Sequence, residues 1–285
     1  MERSDKKGLL SLHSAVLLFG IVGIFAKVVN QPSAIIVLGR VFFSSIFLWC
    51  FLFFRKQKIR LNKKEDYYWM IGAGVVLAAH WTCHMQAIQC STVAIGTIAF
   101  STFPLFVTFL EPYFFHEKLK VSDVACAIVM LIGVFVMIPE FEFSNSMTQG
   151  VIYGLGSALT YAVLGLLNRR FTETYQAAVV SFYEQGVACI VLLPTLFLLR
   201  PEITVQDVAM LCMLGVVFTA VAHSLFINSL RTVKVRTAGI VSGLESVYSI
   251  IAAFSFLGEF PSMREILGGI IILGAVFYST LKDSK

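Results

Sequence analysis

A chain of 285 residues that is 58% hydrophobic and only 14% charged, with a mean hydropathy of +0.83, lies outside the range of soluble globular domains. Its net charge of +5 does not mark a nucleic-acid binder, because apolar runs interrupt the basic residues and no aromatic-interleaved basic face forms. The six cysteines, Cys50, Cys83, Cys90, Cys126, Cys189 and Cys212, lie mostly inside apolar runs without C-x-x-C spacing. They read as packing residues rather than as a disulfide framework or a zinc cage.

Taken in chain order, "MERSDKKG" followed by a long apolar run resembles a secretory signal. The run is long for one and no convincing small-residue cleavage site follows, so it reads as an uncleaved first span. About 20 apolar residues cross a hydrocarbon core of about 30 Å. Splitting the chain at charges, prolines and polar clusters gives spans at 9–29, 33–54, 67–88, 91–112, 121–138, 150–168, 175–199, 204–229, 235–257 and 263–281. The expected fold is an all-α integral membrane protein of ten transmembrane helices.

Lysines and arginines in short loops stay cytoplasmic. With the N-terminus inside, the inside segments hold 18 of them and the outside loops only Arg200 and Arg264, while Lys27 and Arg40 fall in or beside spans. One miscounted helix would scramble that alternation, so both termini are expected in the cytoplasm.

The acidic loop "PEFEFSNSMTQ" at 139–149 divides the chain into halves of five spans, residues 1–138 and 150–285. Sliding the second half on the first by about 142 residues lays 84–100 on 226–242 and Glu117 on Glu259, and a shift of 141 lays 15–28 on 156–169. Each half has an odd number of spans, so the second enters the membrane from the opposite side. Such inverted repeats build transporters whose site lies near the midplane. The repeated stretches around Glu117 and Glu259 each start the fifth helix of a half. Ser262 with Glu265 has capping-box spacing, and Ser122 with Asp123 supplies an N-cap oxygen and an anion.

"STFPLF" and "FFHEKLKVSDVACAIVMLIGV" in the first half, with "GLESVY" and "FLGEFPSMREILGGIIILGAV" in the second, resemble the EamA-type members of the drug/metabolite transporter superfamily. "SALTYAVLGLLNRR" resembles that family's sixth span, and the likeness covers nearly the whole chain. The family's second-half proline is Ser246 here, although Pro104 is present, and His116 replaces a small residue before Glu117. The resemblance implies a ten-helix carrier of small metabolites, often an exporter of amino acids. It also implies a cavity bounded by spans one to four and six to nine, with spans five and ten as scaffold or dimer contacts.

Ionisable residues at membrane depth are costly and are functional candidates by default. Arg40 lies about seven residues into span two and Glu184 near the equivalent place in span seven. The first suits a substrate carboxylate or phosphate and the second an amine or a coupling proton, and a structural pair between halves is the alternative. Glu245 lies mid-span with Tyr248 nearly one turn on. It suits proton binding, or capping of freed backbone groups. Lys27, near the end of span one, reads as a snorkelling lysine.

"AAHWTCHMQ" sets His80 and His84 four apart beside Trp81, with His223 in the matching span eight. No carboxylate or third fixed ligand accompanies them, so they read as cavity lining or packing rather than as a metal site. Ser101 and Pro104 open or kink span four. The glycines of "GVIYGLGSA" fit close helix packing. Tyr161, in span six, completes the cavity candidates.

No Walker P-loop, G-x-S-x-G or H-E-x-x-H is present, so neither ATP hydrolysis nor a membrane enzyme is indicated. The expected function is a secondary transporter, an exporter, of a small polar metabolite such as an amino acid, working by alternating access in a bacterial cytoplasmic membrane. An organic-anion or phosphate-ester exchanger using Lys27, Arg40 and Lys234 is the alternative within transport, and a membrane enzyme or receptor the alternative outside it. The expected partners are a small-molecule substrate and the lipid bilayer, with no cofactor and no nucleic acid. Coupling to protons or another ion, and a homodimer, stay open.

Overall fold

The computed structural model describes residues 3–115, 121–138, 140, 142–171, 174–229, 232–233 and 235–282. Among these the chain is helical and carries no strand. In hydrocarbon an unpaired backbone polar group costs several kcal/mol, and a helix satisfies its own backbone within one segment. The segments are α1 (Arg3–Val28), α2 (Ser33–Phe54), α3 (Lys64–Cys90), α4 (Val93–Phe100), α5 (Phe103–Phe115), α6 (Val121–Met137), α7 (Ser146–Arg169), α8 (Ala177–Leu192), α9 (Pro194–Leu199) and α10 (Val205–Gly215). A π-helical turn (Val216–Val221) joins α10 to α11 (Ala222–Ser229), and α12 (Val235–Leu257) and α13 (Met263–Lys282) complete the chain. Glu117, Lys234 and the side chains of Ser122 and Asp123 lie outside the described residues.

Among the described residues six stretches are long and apolar enough to cross a membrane: Lys7–Val28, Ser33–Phe54, Val93–Leu110, Ser146–Asn168, Ala177–Leu199 and Val205–Ser229. Val124–Met137 and Val241–Leu257 are shorter apolar helices. Phe53, Phe54, Ile190, Phe197, Leu198 and Phe256 point outward with more than half their surface open. Water would penalise so broad an apolar exterior, whereas acyl chains cover it.

Three expected spans are not continuous α-helices. Between α4 and α5 the chain turns at Ser101 and Thr102, just ahead of Pro104, which has no N–H to return to the fourth residue before it. Hydroxyls add bonds at the break: Thr102 Oγ1 donates to the Ala99 carbonyl at 2.7 Å and Ser101 Oγ to the Thr97 carbonyl at 3.1 Å. Pro194 divides α8 from α9 by the same chemistry. The π-helical turn has no proline, and nothing in the apolar pattern of 204–229 announces it.

Helix ends carry the caps that their residue types favour. Thr204 and Asp207 form a capping box at α10, Asn145 accepts from Met147 and Thr148 at α7, and Ser262 with Glu265 cap α13 reciprocally. One cap comes from far along the chain. Glu259, in the α12–α13 connection, accepts the Val93 N–H at 2.6 Å, so a carboxylate of the last quarter sits on the first turn of α4. Glu265 accepts from Thr92 Oγ1 beside it at 2.8 Å.

The principal helix contacts are α3 on α7, α6 on α13, α1 on α12, α2 on α8, α3 on α8 and α1 on α11, and α7 also packs on α4 and α5. The α6–α13 contact is close because both helices offer glycine: a Cβ on Gly133 would meet Ile272 at 2.6 Å, and one on Gly268 would meet the Gly133 carbonyl at 2.7 Å.

Candidate functional site

The site is built on α2 and α3, whose polar residues turn away from the lipid. A central cavity of about 50 Å³ is lined by Arg40 of α2, by His80, Trp81 and His84 of α3, by Tyr161 of α7, by His223 of α11 and by Glu245 of α12. Phe19, Val22, Leu77, Phe100, Leu164 and Phe226 fill the rest of its wall. Seven residues singled out in the sequence therefore meet in one place.

Arg40 is held in two ways. Its guanidinium carbon lies 4.0 Å from the centre of the Trp81 ring, a cation–π contact, and its Nε donates to Thr219 Oγ1 at 3.0 Å. Thr219 belongs to the π-helical turn and donates in its own right to the Leu214 carbonyl five residues back, at 2.8 Å. The wider turn thus supplies a hydroxyl that both anchors the arginine and satisfies the loosened backbone. Close approach of the helices makes this reach short, since a Cβ on Gly215 would stand 2.6 Å from the Arg40 carbonyl. Arg40 is only 2% exposed, and among the described residues its Nε alone makes a side-chain hydrogen bond.

Across the cavity, Glu245 is partly exposed and feels the Arg40 charge, yet the two form no ion pair within 4 Å. The Tyr161 hydroxyl faces Glu245 and Ser242. Phe100, Phe103 and Tyr161 form an aromatic corner with ring centres 5.0 to 5.7 Å apart.

The histidines differ from one another. His80 Nδ1 lies 2.9 Å from the Ser157 carbonyl and 3.0 Å from the Ser157 hydroxyl; the carbonyl can only accept, whereas the hydroxyl serves either tautomer. His84 has a buried Nδ1 with no partner and packs edge-on to Phe100 at 5.1 Å. His223 Nε2 lies 2.9 Å from Glu184 Oε2. Among the described residues no group of three His, Cys, Asp or Glu could hold a metal.

Three other candidates do not reach the cavity wall. Glu184 is fully buried behind it on α8, tied to His223 rather than to Arg40, with its Oε1 unpartnered. Ser101 bonds Ser246 Oγ at 2.6 Å, pinning the α4–α5 break to α12. Tyr248 packs against Leu12, Val16 and Val241, its Cβ close against Gly20 of α1. Lys27, expected to snorkel, instead donates to the Ser91 carbonyl at 2.5 Å. Sequence reading missed Thr219, because a threonine in an apolar span stands out only once the π turn is seen.

The EamA-like transporter family matches the chain twice, over residues 6–138 and 148–281. "Uncharacterized transporter YxxF" of Bacillus subtilis (strain 168) is 25% identical over 280 residues, spanning 96% of this chain and 89% of that protein. An S-adenosylmethionine uptake transporter of Rickettsia bellii (strain RML369-C) is 25% identical over 250 residues, spanning 86% of this chain and 83% of the other. A solved structure described only as the crystal structure of a protein superposes with a TM-score of 0.71 at 17% identity over 96% of both chains. That likeness speaks for the fold alone.

Proposed function

This chain belongs to the EamA-like transporter family, and from that premise we propose that it is a secondary carrier of a small zwitterion, an amino acid or amino-acid derivative, moved by alternating access. It is a multi-pass membrane protein, and its family is one of transporters, not enzymes. The observation that carries the substrate reading is the pairing of Arg40 and Glu245. A guanidinium and a carboxyl group face one cavity at membrane depth without forming an ion pair, an arrangement that an α-carboxylate and an α-ammonium would complete from either side.

The aromatic corner and Trp81 offer flat surfaces to a side chain. S-adenosylmethionine, in the printed name of the Rickettsia relatives, has an amino-acid end of this kind. The anion-exchanger reading is weaker, since Lys27 is engaged by Ser91 and Glu245 shares the cavity with Arg40.

The carrier reading includes ten spans in two inverted halves, 1–138 and 150–285, with both ends cytoplasmic. The distribution of basic residues supports it, and so does the pattern of helix contacts. Exchanging the halves sends the α3–α7 contact to that of α11 with α1, and the α1–α12 contact to that of α7 with α4 and α5, while α2–α8 and α6–α13 map onto themselves.

The experiment is flux of labelled compounds into proteoliposomes: amino acids, S-adenosylmethionine, amines, organic anions and phosphate esters, in both directions. Saturable flux of a zwitterion, lost in Arg40→Gln and in Glu245→Gln, is the expected result. Flux confined to anions and indifferent to Glu245→Gln would sink the zwitterion reading. The direction of the larger flux decides between export and uptake.

A further inference from the structure

Behind the cavity wall lies a feature that substrate binding does not use. Glu184 is fully buried on α8, one carboxylate oxygen is without a partner, and the other meets His223 Nε2 at 2.9 Å. His223 borders the cavity and stands edge-on to Trp81, ring centres 5.6 Å apart at 75°, while Arg40 lies over that same indole at 4.0 Å. One tryptophan thus separates a permanent cation from an ionisable imidazole.

We propose that the His223–Glu184 pair is the binding site of a coupling proton, and that its occupancy is linked to the substrate through Arg40 and Trp81. The inference rests on the carrier reading above and assigns its coupling site. The proton balance is simple. In the empty form neutral His223 donates its Nε2–H to the Glu184 carboxylate, and its Nδ1 holds a lone pair. One proton entering through the cavity binds Nδ1, giving imidazolium against carboxylate, and the pair passes from net charge −1 to 0.

The surroundings set the sign of the linkage. Arg40 on α2, His80 and His84 on α3, Tyr161 on α7 and Glu245 on α12 are the other ionisable groups around the cavity, and the charges of His80 and His223 interact. An uncompensated Arg40 opposes a second cation on the far side of Trp81. A ligand carboxylate on Arg40 removes that opposition, so substrate and proton favour each other's binding, and the reciprocity is thermodynamically required. The two therefore travel in the same direction.

The test needs no substrate at first. Infrared difference spectra of the full chain in lipid nanodiscs, recorded between about pH 5 and pH 8 where histidine titrates, should show uptake of one proton by an imidazole in contact with a carboxylate. The signal should vanish in His223→Gln and alter in Glu184→Gln, and persist in Glu245→Gln. Thermal melting confirms that each variant is folded, and either pair variant alone suffices if the other is not. Persistence of the full signal in a folded pair variant, or its absence from the wild type, overturns the proposal.

The second measurement uses proteoliposomes with L-methionine and S-adenosylmethionine as probes. Glu184→Gln should lose gradient-driven accumulation by tenfold or more, and exchange at equal pH by far less. Accumulation unaffected by Glu184→Gln overturns the coupling site. Absence of exchange in the wild type, with the titration signal intact, counts against the carrier reading instead.

Discussion

In the 142-residue register Arg40 falls two residues short of Glu184, and neighbouring helices approach the two in a similar way. A Cβ on Gly215 would stand 2.6 Å from the Arg40 carbonyl, and one on Gly74 would stand 2.8 Å from the Glu184 carbonyl. Trp81 covers Arg40, and His223, its counterpart in the 142-residue register, holds Glu184. The difference lies in access. Arg40 keeps the end of its fork turned to the cavity, whereas Glu184 is sealed behind a histidine. On the proposed reading, similar helix packing carries two chemistries, a cation offered to a ligand and a sealed carboxylate offered to a proton.

The largest effect expected from breaking this comparison is at Arg40. Arg40→Gln keeps length and polarity but removes the charge, and should lower kcat/KM for zwitterion flux about 100-fold, the worth of a charge-assisted hydrogen bond pair. Thr219→Val should cost about tenfold through loss of its 3.0 Å bond to Nε, raising KM while leaving the protein folded. An unchanged KM would show that Trp81 alone positions the arginine.

The glycines probe the backbone plan rather than its chemistry. Gly215→Ala and Gly74→Ala each push a methyl group against a carbonyl and should each lower stability by about 1–3 kcal/mol, measured as thermal melting in detergent. A large effect in one half only would break the correspondence. The smallest effect is expected for Glu259→Gln, which weakens the charged cap on Val93 and should cost about 0.5–2 kcal/mol. Glu117→Gln should match it if the repeat extends to the caps.

Much of this was readable in advance. Hydropathy placed the helices within a few residues, since apolar length is what a bilayer demands, and the rarity of charge at depth singled out Arg40 and Glu245, which share the cavity, and Glu184, which lies behind it. Spacing fixed the Ser262–Glu265 cap, because a capping box is local. It could not foresee that Glu184 would take His223 as partner, since that depends on how α8 and α11 rotate about their axes. Tyr248 shows the same limit: one turn from Glu245, it nevertheless packs on Gly20 rather than on the cavity. The π turn escaped because Thr219 gains its meaning only from Arg40, 179 positions away.

The Glu259 cap has a consequence for timing. With Glu265 on Thr92 it ties the start of α4 to the segment that opens α13, and neither carboxylate lines the cavity. Any rearrangement that parts those two segments must first break it. If the carrier alternates as proposed, each 1.4 kcal/mol of such a tie lengthens the dwell of the state that keeps it about tenfold. Turnover frequency and cargo preference can therefore drift apart in evolution, one governed at the rim and the other at the centre.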